Sequence, residues 1–286
     1  MKQKSAPSQS LHLTSRRNPV VRQARDLKKR RFRNDSQLFR IEGHREIKRA
    51  LEAGIEFEYV VYCDAISRFT QSESTLTRIE SQSDATLYAS SVNVFANLSQ
   101  WQNPDGLLVI AKQQKKALTD IRADTNDVFL VIDGVEKPGN LGSMFRTADA
   151  TGCSGILISD PVVDLFNPNV IRASLGTVFA MPCAIAESTD VVRWLRENQL
   201  NIVCSSPQGS RSFLEAPLGS GCAIVIGSEK DGLSDTWFEA CDEVVSLPKE
   251  GFADSMNAAM AANALLFESY RQRQPSVKPS GSPNRS

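Results

Sequence analysis

Short apolar runs that alternate with helical patterns constrain the fold of this chain more than any other feature. In the second half the runs are continuous in Val, Ile and Leu, and they predict strands at residues 128–132, 155–159, 202–205, 222–226 and 243–246. Helices are predicted over 140–151, 189–199 and 255–273. Continuous apolar strands separated by helices are typical of a mostly parallel sheet covered on both faces. We therefore predict an α/β domain over residues 127–274.

The first half predicts a second, smaller α/β unit over residues 35–113. Strands are expected at 38–41, 57–63, 86–89 and 107–112, and helices at 43–54, 75–79 and 92–98. The polar stretch 114–126 is typical of a linker between domains. Residues 275–286 are rich in Pro and Ser, and they predict a disordered tail.

The formal net charge of zero hides a basic N-terminal segment. Residues 1–33 contain eleven Lys and Arg against one Asp, a charge of +10 that the rest of the chain balances. Such a segment indicates a polyanionic partner, and a phenylalanine among the basic residues favours RNA, whose unpaired bases stack on aromatic and arginine planes. We predict a flexible basic arm over residues 1–34 that binds RNA, with a solubilising tail as the alternative. The predicted RNA-binding residues are Lys28, Lys29, Arg30, Arg31 and Arg33.

Composition and residue inventory exclude several classes of protein. No apolar run approaches the roughly 18 residues that span a bilayer, and the N-terminus lacks the apolar middle of a signal peptide, so we expect a cytoplasmic protein. The six cysteines are scattered without CxxC spacing, which favours buried reduced thiols over disulfides or a metal site. Both histidines, His12 and His44, lie in the first half. This excludes histidine-based zinc ligation and a Ser-His-Asp triad in the second half.

Three segments of the second half each join a short apolar strand to glycine-rich polar residues. They are residues 133–152 (DGVEKPGNLGSMFRTADATG), 223–232 (AIVIGSEKDG) and 245–268 (VSLPKEGFADSMNAAMAANALLFE). Glycine beside a strand end permits close approach of a ligand or another backbone, so we predict one site built from all three. Pro138 and Gly139 are expected to form a turn and Asn140 to cap the following helix. The second segment lacks a P-loop ending and a GxGxxG fingerprint, which argues against nucleoside triphosphates and dinucleotides.

Taken together, these segments resemble the SpoU (TrmH-type) branch of the SPOUT RNA methyltransferases. The matching patterns are N-L-G-x-x-x-R-T-A-x-x-x-G at 140–152, I-G-S-E-x-x-G at 226–232 and L-P…S-M-N-x-x-x-A at 247–261, in the family's order and spacing. The first half, with FRIEGHREIKRALEAG near its start, resembles the family's substrate-binding domain. The resemblance covers residues 22–273. Lys249, Ala259 and Asn263 depart from the residues that are frequent in the family.

The resemblance implies a fold, a cofactor and a reaction. The α/β domain is expected to contain a deep trefoil knot, contrary to the general rule that chains do not knot. The protein is expected to bind S-adenosylmethionine, to form a homodimer and to methylate a ribose 2′-hydroxyl. By position, Gly227, Leu247 and Met256 match residues whose backbones receive the cofactor. The residues that match the family's polar active-site set are Arg146, Asn140, Glu229, Ser255 and Asn257.

Arg146 is the residue expected, by this resemblance, to make the ribose hydroxyl more nucleophilic. Because a guanidinium stays protonated it is a poor free base, so an electrostatic role toward the hydroxyl and a neighbouring phosphate is favoured. The additional N-terminal domain resembles that of ribosomal RNA modifiers, which favours ribosomal RNA as the substrate. The alternatives are a transfer RNA 2′-O-methyltransferase and a non-catalytic RNA-binding or ribosome-assembly factor with the same fold.

Overall fold

The computed structural model describes residues 11–67, 71–248, 250–252 and 256–274. The described residues divide by their contacts into two compact units. The first contains the residues up to 116 together with 136–146 and 162–182, and the second contains 117–135, 147–161 and the residues from 183 onward. The sequence predicts one division near 114–126. The segments 136–146 and 162–182 differ from that prediction because they pack with the first unit.

The first unit is built on a five-stranded mixed sheet. Its strands are β1 (Leu11–Leu13), β2 (Leu38–Glu42), β3 (Phe57–Tyr62), β4 (Thr86–Ser90) and β5 (Leu107–Lys112). They lie in the order β1-β4-β3-β5-β2. Strand β5 runs antiparallel to β2 and β3, whereas β1, β4 and β3 run parallel. The sequence predicts the last four to within one residue at each end, and it misses β1 because three residues are too short for an apolar pattern.

The helices of the first unit lie in three parts of the chain. Two precede β2, four lie between β2 and β5, and the others belong to the segments 136–146 and 162–182. They are α1 (Pro19–Asp26), α2 (Arg30–Ser36), α3 (His44–Glu52), α4 (Asp64–Ser67), α5 (Ser72–Gln82), α6 (Val92–Leu98), α7 (Pro138–Ala150), α8 (Pro168–Ala173) and α9 (Thr177–Ala180). Helix α7 continues past residue 146 into the second unit. Helix α3 is amphipathic, and it buries Ile47 and Ala50 while Arg45 and Lys48 face solvent.

The predicted flexible arm over residues 1–34 is wrong for residues 11–34, which are folded. Asn18 caps α1 by accepting from the Val20 amide at 2.9 Å, and Pro19 occupies the first helical position, where its missing N–H is not needed. Val21 and Ala24 are buried in a core that also includes residues of β3 and β5. The high density of basic residues hides this apolar face in the sequence. Residues 1–10 lie outside the described residues.

Arg33 differs from the other basic residues of this segment because its side chain is buried. Its Nη2 lies 2.6 Å from Asp164 Oδ2, and its Nε donates to the same oxygen at 2.7 Å. Its Nη1 donates to the carbonyls of Leu27 and Lys28 at 2.9 and 2.8 Å. All these partners lie within the first unit. Arg33 therefore stabilises the unit, and the prediction that it binds RNA is wrong.

The second unit is built on a seven-stranded sheet in which all neighbouring strands are parallel. Its strands are β6 (Val128–Asp133), β7 (Gly155–Ser159), β8 (Cys183–Ala186), β9 (Asn201–Ser205), β10 (Arg211–Ser212), β11 (Cys222–Ile226) and β12 (Glu243–Ser246). They lie in the order β10-β12-β9-β11-β6-β7-β8. The predicted α/β fold with a mostly parallel sheet is confirmed. Strands β8 and β10 are missed because the first is half alanine and the second has two residues.

Both faces of the parallel sheet are covered. Phe129 and Val131 of β6 pack in a core with Leu195 of α10 (Ser188–Glu197) and Trp237 of α11 (Asp235–Ala240). Leu130 points to the opposite face and is equally buried, and helix α12 (Ala258–Arg273) packs against β11. Burial on both sides explains why these strands are continuous apolar runs. Within the described ranges, no helix combines the length and apolarity that crossing a membrane requires.

The residues predicted as a linker belong in part to the second unit. Residues Leu118–Asp120 form a 3₁₀ helix, and Ile121 is buried in the core that contains Phe129. A short polar stretch with one anchoring isoleucine looks like a linker in sequence, because a single apolar residue gives no periodicity. The predicted tail 275–286 lies outside the described residues. The trefoil knot stays a prediction.

Helix α7 begins at Pro138, so the prediction that Asn140 caps it is wrong. Asn140 lies within the first turn instead. Two residues later, Gly142 packs against α8: a Cβ at Gly142 would come 2.6 Å from the Ala173 Cβ and 2.6 Å from the Val170 carbonyl oxygen. Only glycine permits this approach of the two helices. Gly142 therefore serves helix packing within the first unit.

Candidate cofactor pocket and catalytic residues

A cavity of about 320 Å³ lies at the carboxyl ends of β9, β11 and β12 in the second unit. In parallel α/β sheets this edge is where ligands bind. The cavity is closed by the loops that follow the three strands and by the start of α12. Its lining residues are 205–208, 226–233, Phe238, Leu247, Met256, Ala258 and Ala261. Two of the three glycine-rich segments that the sequence predicts to form one site thus meet at one place.

The loop after β11 closes on itself directly behind the strand. Ser228 and Gly232 exchange backbone hydrogen bonds of 2.8 and 3.2 Å, and the Ser228 hydroxyl accepts from the Asp231 amide at 2.9 Å. Gly232 adopts a positive φ of 73°, which favours glycine. A Cβ at Gly227 would lie 2.5 Å from the Leu233 nitrogen and closer still to the Gly232 carbonyl group. Gly227 is therefore required by the approach of the loop's own backbone.

The loop after β9 is held against the end of β12. The Ser206 amide donates to the Val245 carbonyl at 3.0 Å, and the Gly209 amide donates to the Ser206 carbonyl at 3.0 Å. A Cβ at Gly209 would come 2.7 Å from the Ser246 nitrogen. This packing fixes the wall of the cavity that residues 205–208 form.

Asp133, at the carboxyl end of β6, positions the chain that leaves the β11 loop. The buried Asp133 carboxylate accepts from the Ser159 hydroxyl at 2.7 Å and from the Ser188 hydroxyl at 3.4 Å. Its other oxygen accepts from the Ser234 amide at 3.3 Å. The strand ends of β6 and β7 are thereby tied to the segment that follows Gly232, and this segment borders the cavity at Leu233.

The start of α12 forms the remaining wall. Asn257 caps the helix, because its side-chain oxygen accepts from the amides of Ala259 and Met260 at 3.0 and 3.3 Å. The capped first turn directs Ala258 and Ala261 into the cavity wall. Their short side chains leave space that larger residues would fill. The alanine-rich composition of this helix is thus explained in part by the cavity and in part by packing on β11.

The structure brings four of the predicted site residues together. Gly227, Glu229, Leu247 and Met256 all line the cavity, while Asn257 lies directly beside them as the cap of α12. Glu229 is half-buried, and Met256 is 43% exposed. Ser255 lies outside the described residues.

Asn140 and Arg146 lie on α7, in the part of the chain that belongs to the first unit. Their predicted convergence with the cavity of the second unit stays a prediction. The Arg146 side chain is exposed, and its guanidinium forms no hydrogen bond or ion pair with the residues the structure describes. It is therefore free to bind an anionic or hydroxyl-bearing substrate.

Two parts of the cavity are missed by sequence reasoning. Residues 205–208 follow a predicted strand, but the segment SSPQG carries one glycine and resembles an ordinary turn. Phe238, which lies on α11, is 39% exposed although it is aromatic. A phenylalanine on the open side of a short helix gives no periodicity signal, so only the tertiary structure shows that it borders the cavity.

The four remaining basic residues of the predicted RNA-binding set are accessible to different degrees. Lys28 is half-buried, its Nζ donates to the Ser99 carbonyl at 3.2 Å, and burial lowers its pKa. Arg30 donates to the Val162 carbonyl at 2.8 Å. Lys29 and Arg31 are exposed to solvent. Lys29, Arg30 and Arg31 therefore present charge at the surface, whereas Lys28 contributes mainly to packing.

The cysteines and acidic residues form no second reactive centre among the described residues. Five of the six cysteines are buried, as predicted, and burial raises the pKa of Cys153 to about 11 and that of Cys222 to about 12. Thiols with such values are poor nucleophiles near neutral pH. Within the described ranges, no group of three His, Cys, Asp or Glu side chains is placed to hold a metal ion.

The fold and the cavity define a parallel α/β domain that binds a ligand at its carboxyl strand ends, joined to a unit with a mixed sheet. Comparison with known proteins makes the assignment specific. Residues 127–267 match the SpoU rRNA Methylase family, and residues 18–109 match the MRM3-like substrate binding domain. The chain belongs to the SpoU methylase family.

Relatives and solved structures agree with this assignment. The chain is 27% identical to the Bacillus subtilis 23S rRNA (guanosine(2553)-2'-O)-methyltransferase RlmP, over 89% of this chain and 97% of that protein. It is 30% identical to a Streptomyces viridochromogenes 23S rRNA (uridine(2479)-2'-O)-methyltransferase, over 59% of this chain and 61% of that protein.

Among solved structures, an RNA 2'-O ribose methyltransferase is 35% identical, with a TM-score of 0.81 over 92% of this chain and 99% of that chain. An AdoMet-bound rRNA methyltransferase from Sinorhizobium meliloti is 29% identical, with a TM-score of 0.83 over 92% of this chain and 98% of that chain. The similarity therefore includes the substrate-binding half as well as the methylase half.

Proposed function

We propose that this protein transfers a methyl group from S-adenosylmethionine to a ribose 2′-hydroxyl of ribosomal RNA. The observation that carries the proposal is the cavity in which Gly227, Leu247 and Met256 meet. These residues come from three separate loops, and the family resemblance assigns all three to the cofactor. The Sinorhizobium meliloti relative, which is described as AdoMet-bound, has the same fold.

The chemistry of the cavity fits this cofactor. Its volume of about 320 Å³ lies at the lower end of the roughly 300–1,000 Å³ typical of small-molecule pockets. Ile226, Leu233, Phe238 and Met256 supply an apolar wall suited to a flat heterocycle, while backbone groups of the loops supply donors and acceptors. Glu229 adds a carboxylate suited to a cationic group. When bound here, S-adenosylmethionine supplies an electrophilic methyl group.

The contribution of Arg146 is electrostatic. Its exposed guanidinium offers planar donors to a ribose hydroxyl and to a neighbouring phosphate. Donors fixed where negative charge develops lower the barrier, and removal of one such donor typically slows a reaction by about 10²–10³-fold. Aligning the hydroxyl behind the methyl group contributes further, because orientation removes an entropic cost.

Arg146→Ala tests the catalytic part of the proposal. We expect at least about a hundredfold loss of methyl transfer to ribosomal RNA, while calorimetry shows unchanged binding of S-adenosylmethionine. Arg193→Ala is the matched control, since Arg193 is an exposed arginine on α10. Methylation at the wild-type rate in the Arg146 variant would refute the assignment. Failure of the wild-type protein to bind S-adenosylmethionine would instead favour a non-catalytic RNA-binding factor.

Ribosomal RNA is favoured over transfer RNA as the substrate. The relatives RlmP and the Streptomyces enzyme are named for 23S ribosomal RNA, and the similarity to RlmP includes the first unit. Mapping 2′-O-methyl groups in total RNA, with and without the gene, tests this proposal. Loss of a mark in transfer RNA alone would overturn it.

Surface cations of the first unit are proposed to bind the RNA backbone. Lys29, Arg30 and Arg31 are exposed, and removing one cation that neutralises a phosphate reduces the slope of log affinity against log salt by about 0.7–0.9. Replacing these three residues by Gln, with Arg33 kept, is expected to flatten the salt dependence of RNA binding. An unchanged slope would leave these residues without a role in binding.

A cytoplasmic location is proposed because the proposed substrate is ribosomal RNA. Fractionation of cells tests this location.

A homodimer is proposed from the exposed face of α12. Met260, Phe267 and Tyr270 are 64%, 50% and 42% exposed, and their spacing places them along one side of the helix. Contiguous exposed apolar side chains mark association surfaces. We expect light scattering to give the mass of two chains for the wild type and of one chain for Phe267→Asp, with Arg193→Asp as control. A monomeric wild type would contradict the proposal.

A further inference from the structure

Trp101 and Arg172 form a stacked pair on the first unit. The Arg172 guanidinium carbon lies 3.5 Å from the centroid of the Trp101 ring, well inside the roughly 6 Å range of cation–π contacts. Arg172 is exposed, and its guanidinium donates no hydrogen bond to any residue the structure describes. One face of the guanidinium thus rests on the indole, while its donors remain available.

Trp101 is held in place by a buried ion pair. Its amide donates to the Ser99 hydroxyl at 2.9 Å, and that hydroxyl donates in turn to Glu42. Glu42 also accepts from the Gln100 amide at 3.1 Å and from Arg40 Nη2 at 3.0 Å. The side chains of Arg40 and Glu42 are 0% and 5% exposed. A buried pair of this kind gives little net stability, but here it fixes the loop that carries the indole.

The position of Arg172 is fixed by the cap and the packing of α8. Asn167 caps the helix by accepting from the Asn169 amide at 2.9 Å, and Gly142 of α7 packs against its backbone. At its other end, Gly176 lies against α3, where a Cβ would come 3.0 Å from the Glu46 Cα. The short helix is thus fixed on two sides within the first unit, and Gly142 lies four residues before Arg146 on the same helix.

Charges of both signs surround the stacked pair: the carboxyls of Glu46 and Asp105, and exposed cations of α3. Arg45 and Lys48 of α3 are exposed, and neither forms a hydrogen bond or ion pair with the described residues. Arg45 and Arg172 both act electrostatically on Glu46, which places their charges in one neighbourhood. A planar stacked arginine, together with exposed cations on α3 of the same unit, matches the chemistry of unpaired RNA, in which flat bases alternate with phosphates.

We propose that Trp101 and Arg172 form a stacking platform for an unpaired base of the RNA substrate, with Arg45 and Lys48 holding the adjacent phosphates. The proposal rests on the proposed function and identifies the RNA feature that the first unit recognises. A base stacks on the outer face of the Arg172 guanidinium, which Trp101 supports from behind. Double-stranded RNA keeps its bases stacked inside the helix, so the platform selects loops or bulges over duplexes.

If Trp101 and Arg172 served only to fasten α8 to the loop before β5, the Arg172 guanidinium would not need to be exposed. The Trp101 indole N–H is also buried without an acceptor among the described residues, so the ring is not fixed by its own hydrogen bond. The loop's hydrogen bonds to Glu42 hold it independently of Arg172.

The test measures binding to two labelled RNAs by fluorescence anisotropy: a hairpin with an unpaired loop and a blunt-ended duplex of equal charge. Alanine replacement of a stacking residue weakens binding by about 5- to 150-fold per base. We expect Trp101→Ala and Arg172→Ala to show this loss for the hairpin. Trp101→Ala is expected to leave duplex binding within about twofold of the wild type. Trp101→Phe, which keeps an aromatic face, is expected to retain most hairpin binding.

Arg172→Lys separates stacking from charge, because lysine keeps the charge and loses the planar fork. We expect most of the hairpin affinity to be lost in this variant, whereas Arg193→Lys binds as the wild type does. Equal losses for hairpin and duplex, or a lowered melting temperature with unchanged hairpin affinity, would overturn the platform. Binding of S-adenosylmethionine, measured on the same variants, distinguishes this failure from failure of the proposed function, since the cofactor cavity lies in the second unit.

Discussion

Gly227→Ala is the sharpest test of how the cofactor cavity is built. Gly227 is buried at the end of β11, and the loop folds back so tightly that an added Cβ would lie 2.5 Å from the Leu233 nitrogen and closer still to the Gly232 carbonyl. All these neighbours are backbone atoms. Because no side chain can rotate away, the loop itself must move, and the paired hydrogen bonds between Ser228 and Gly232 are strained.

The size of the effect follows from this crowding. Overpacking a well-packed region by one methyl group costs about 1–3 kcal/mol. If the loop moves in the free protein, this cost appears as lost stability, at about 2–4 °C of melting temperature per kcal/mol for a domain of this size. If the strain is released only when the loop leaves the cavity wall, it appears as lost affinity, at a factor of ten for each 1.4 kcal/mol. We therefore expect a combined loss of about 1–3 kcal/mol in the two measurements.

Calorimetric titration with S-adenosylmethionine and thermal unfolding measure the two parts. Gly139→Ala is the matched control, since a Cβ there meets nothing within 4 Å and the residue lies in the first unit. Gly232→Ala is a second comparison, because its Cβ has open space and its cost comes from the φ of 73° alone. A Gly227→Ala protein with unchanged melting temperature and cofactor affinity would show that the loop is not packed as described.

Three further predictions concern stability and the polar residues. Asp164→Asn leaves the buried Arg33 charge without its partner, so we expect a loss of about 3–5 kcal/mol in the free energy of unfolding, against almost none for the exposed Arg31→Ala. Burial raises the pKa of Glu46 above its ordinary 4.5. The folded state then favours the protonated carboxyl, so its contribution to stability is complete below that value and is lost as pH rises through the folded pKa. Glu46→Gln should therefore raise stability at neutral pH and change nothing in acid. Asn257→Ala removes the cap of α12 and should lower the free energy of unfolding by about 0.5–2 kcal/mol. Asn257→Asp keeps a capping oxygen at this position and should keep the stability of the wild type.

Urea titrations check all three. An Asp164→Asn protein as stable as the wild type would show that Arg33 is not buried as a charge. A Glu46→Gln protein with the same pH profile as the wild type would contradict the role of burial at that carboxyl. If Asn257→Asp restores stability without restoring methylation, Asn257 has a catalytic role beyond the cap. If it restores both, capping accounts for the residue.

The strands of this protein were the easiest part to predict from sequence. Runs such as those at 107–112 and 222–226 are apolar throughout and agree with β5 and β11 residue for residue. The basic N-terminal segment was predicted least well, because charge density suggested disorder while Val21 and Ala24 were already placed to pack on a sheet. Helices α8 and α11 were also missed, because six residues are too few for a helical period.

The described residues of the two later predicted segments lie at or beside one cavity, and their roles stay a prediction. Gly227, Leu247 and Met256 were indicated by motif and lie at one cavity. The sequence allows two uses for Gly227, close approach of a ligand or of another backbone, and the structure shows the second, since the loop's own backbone lies where a Cβ would be. Phe238 and residues 205–208 have no such motif, so proximity alone reveals them.

The sequence by itself determined the parallel sheet and the loops after β11 and β12 that line the cavity, because these follow from local apolar patterns and short motifs. The tertiary structure decided that residues 136–146 and 162–182 pack with the first unit. Only the tertiary structure decided which cations face solvent and which are buried, as the contrast between Arg31 and Arg33 shows. Only the tertiary structure also shows that the Arg172 guanidinium stacks on the Trp101 ring. The physical reason is that burial and stacking depend on residues far apart in the chain, for which the local sequence carries no signal.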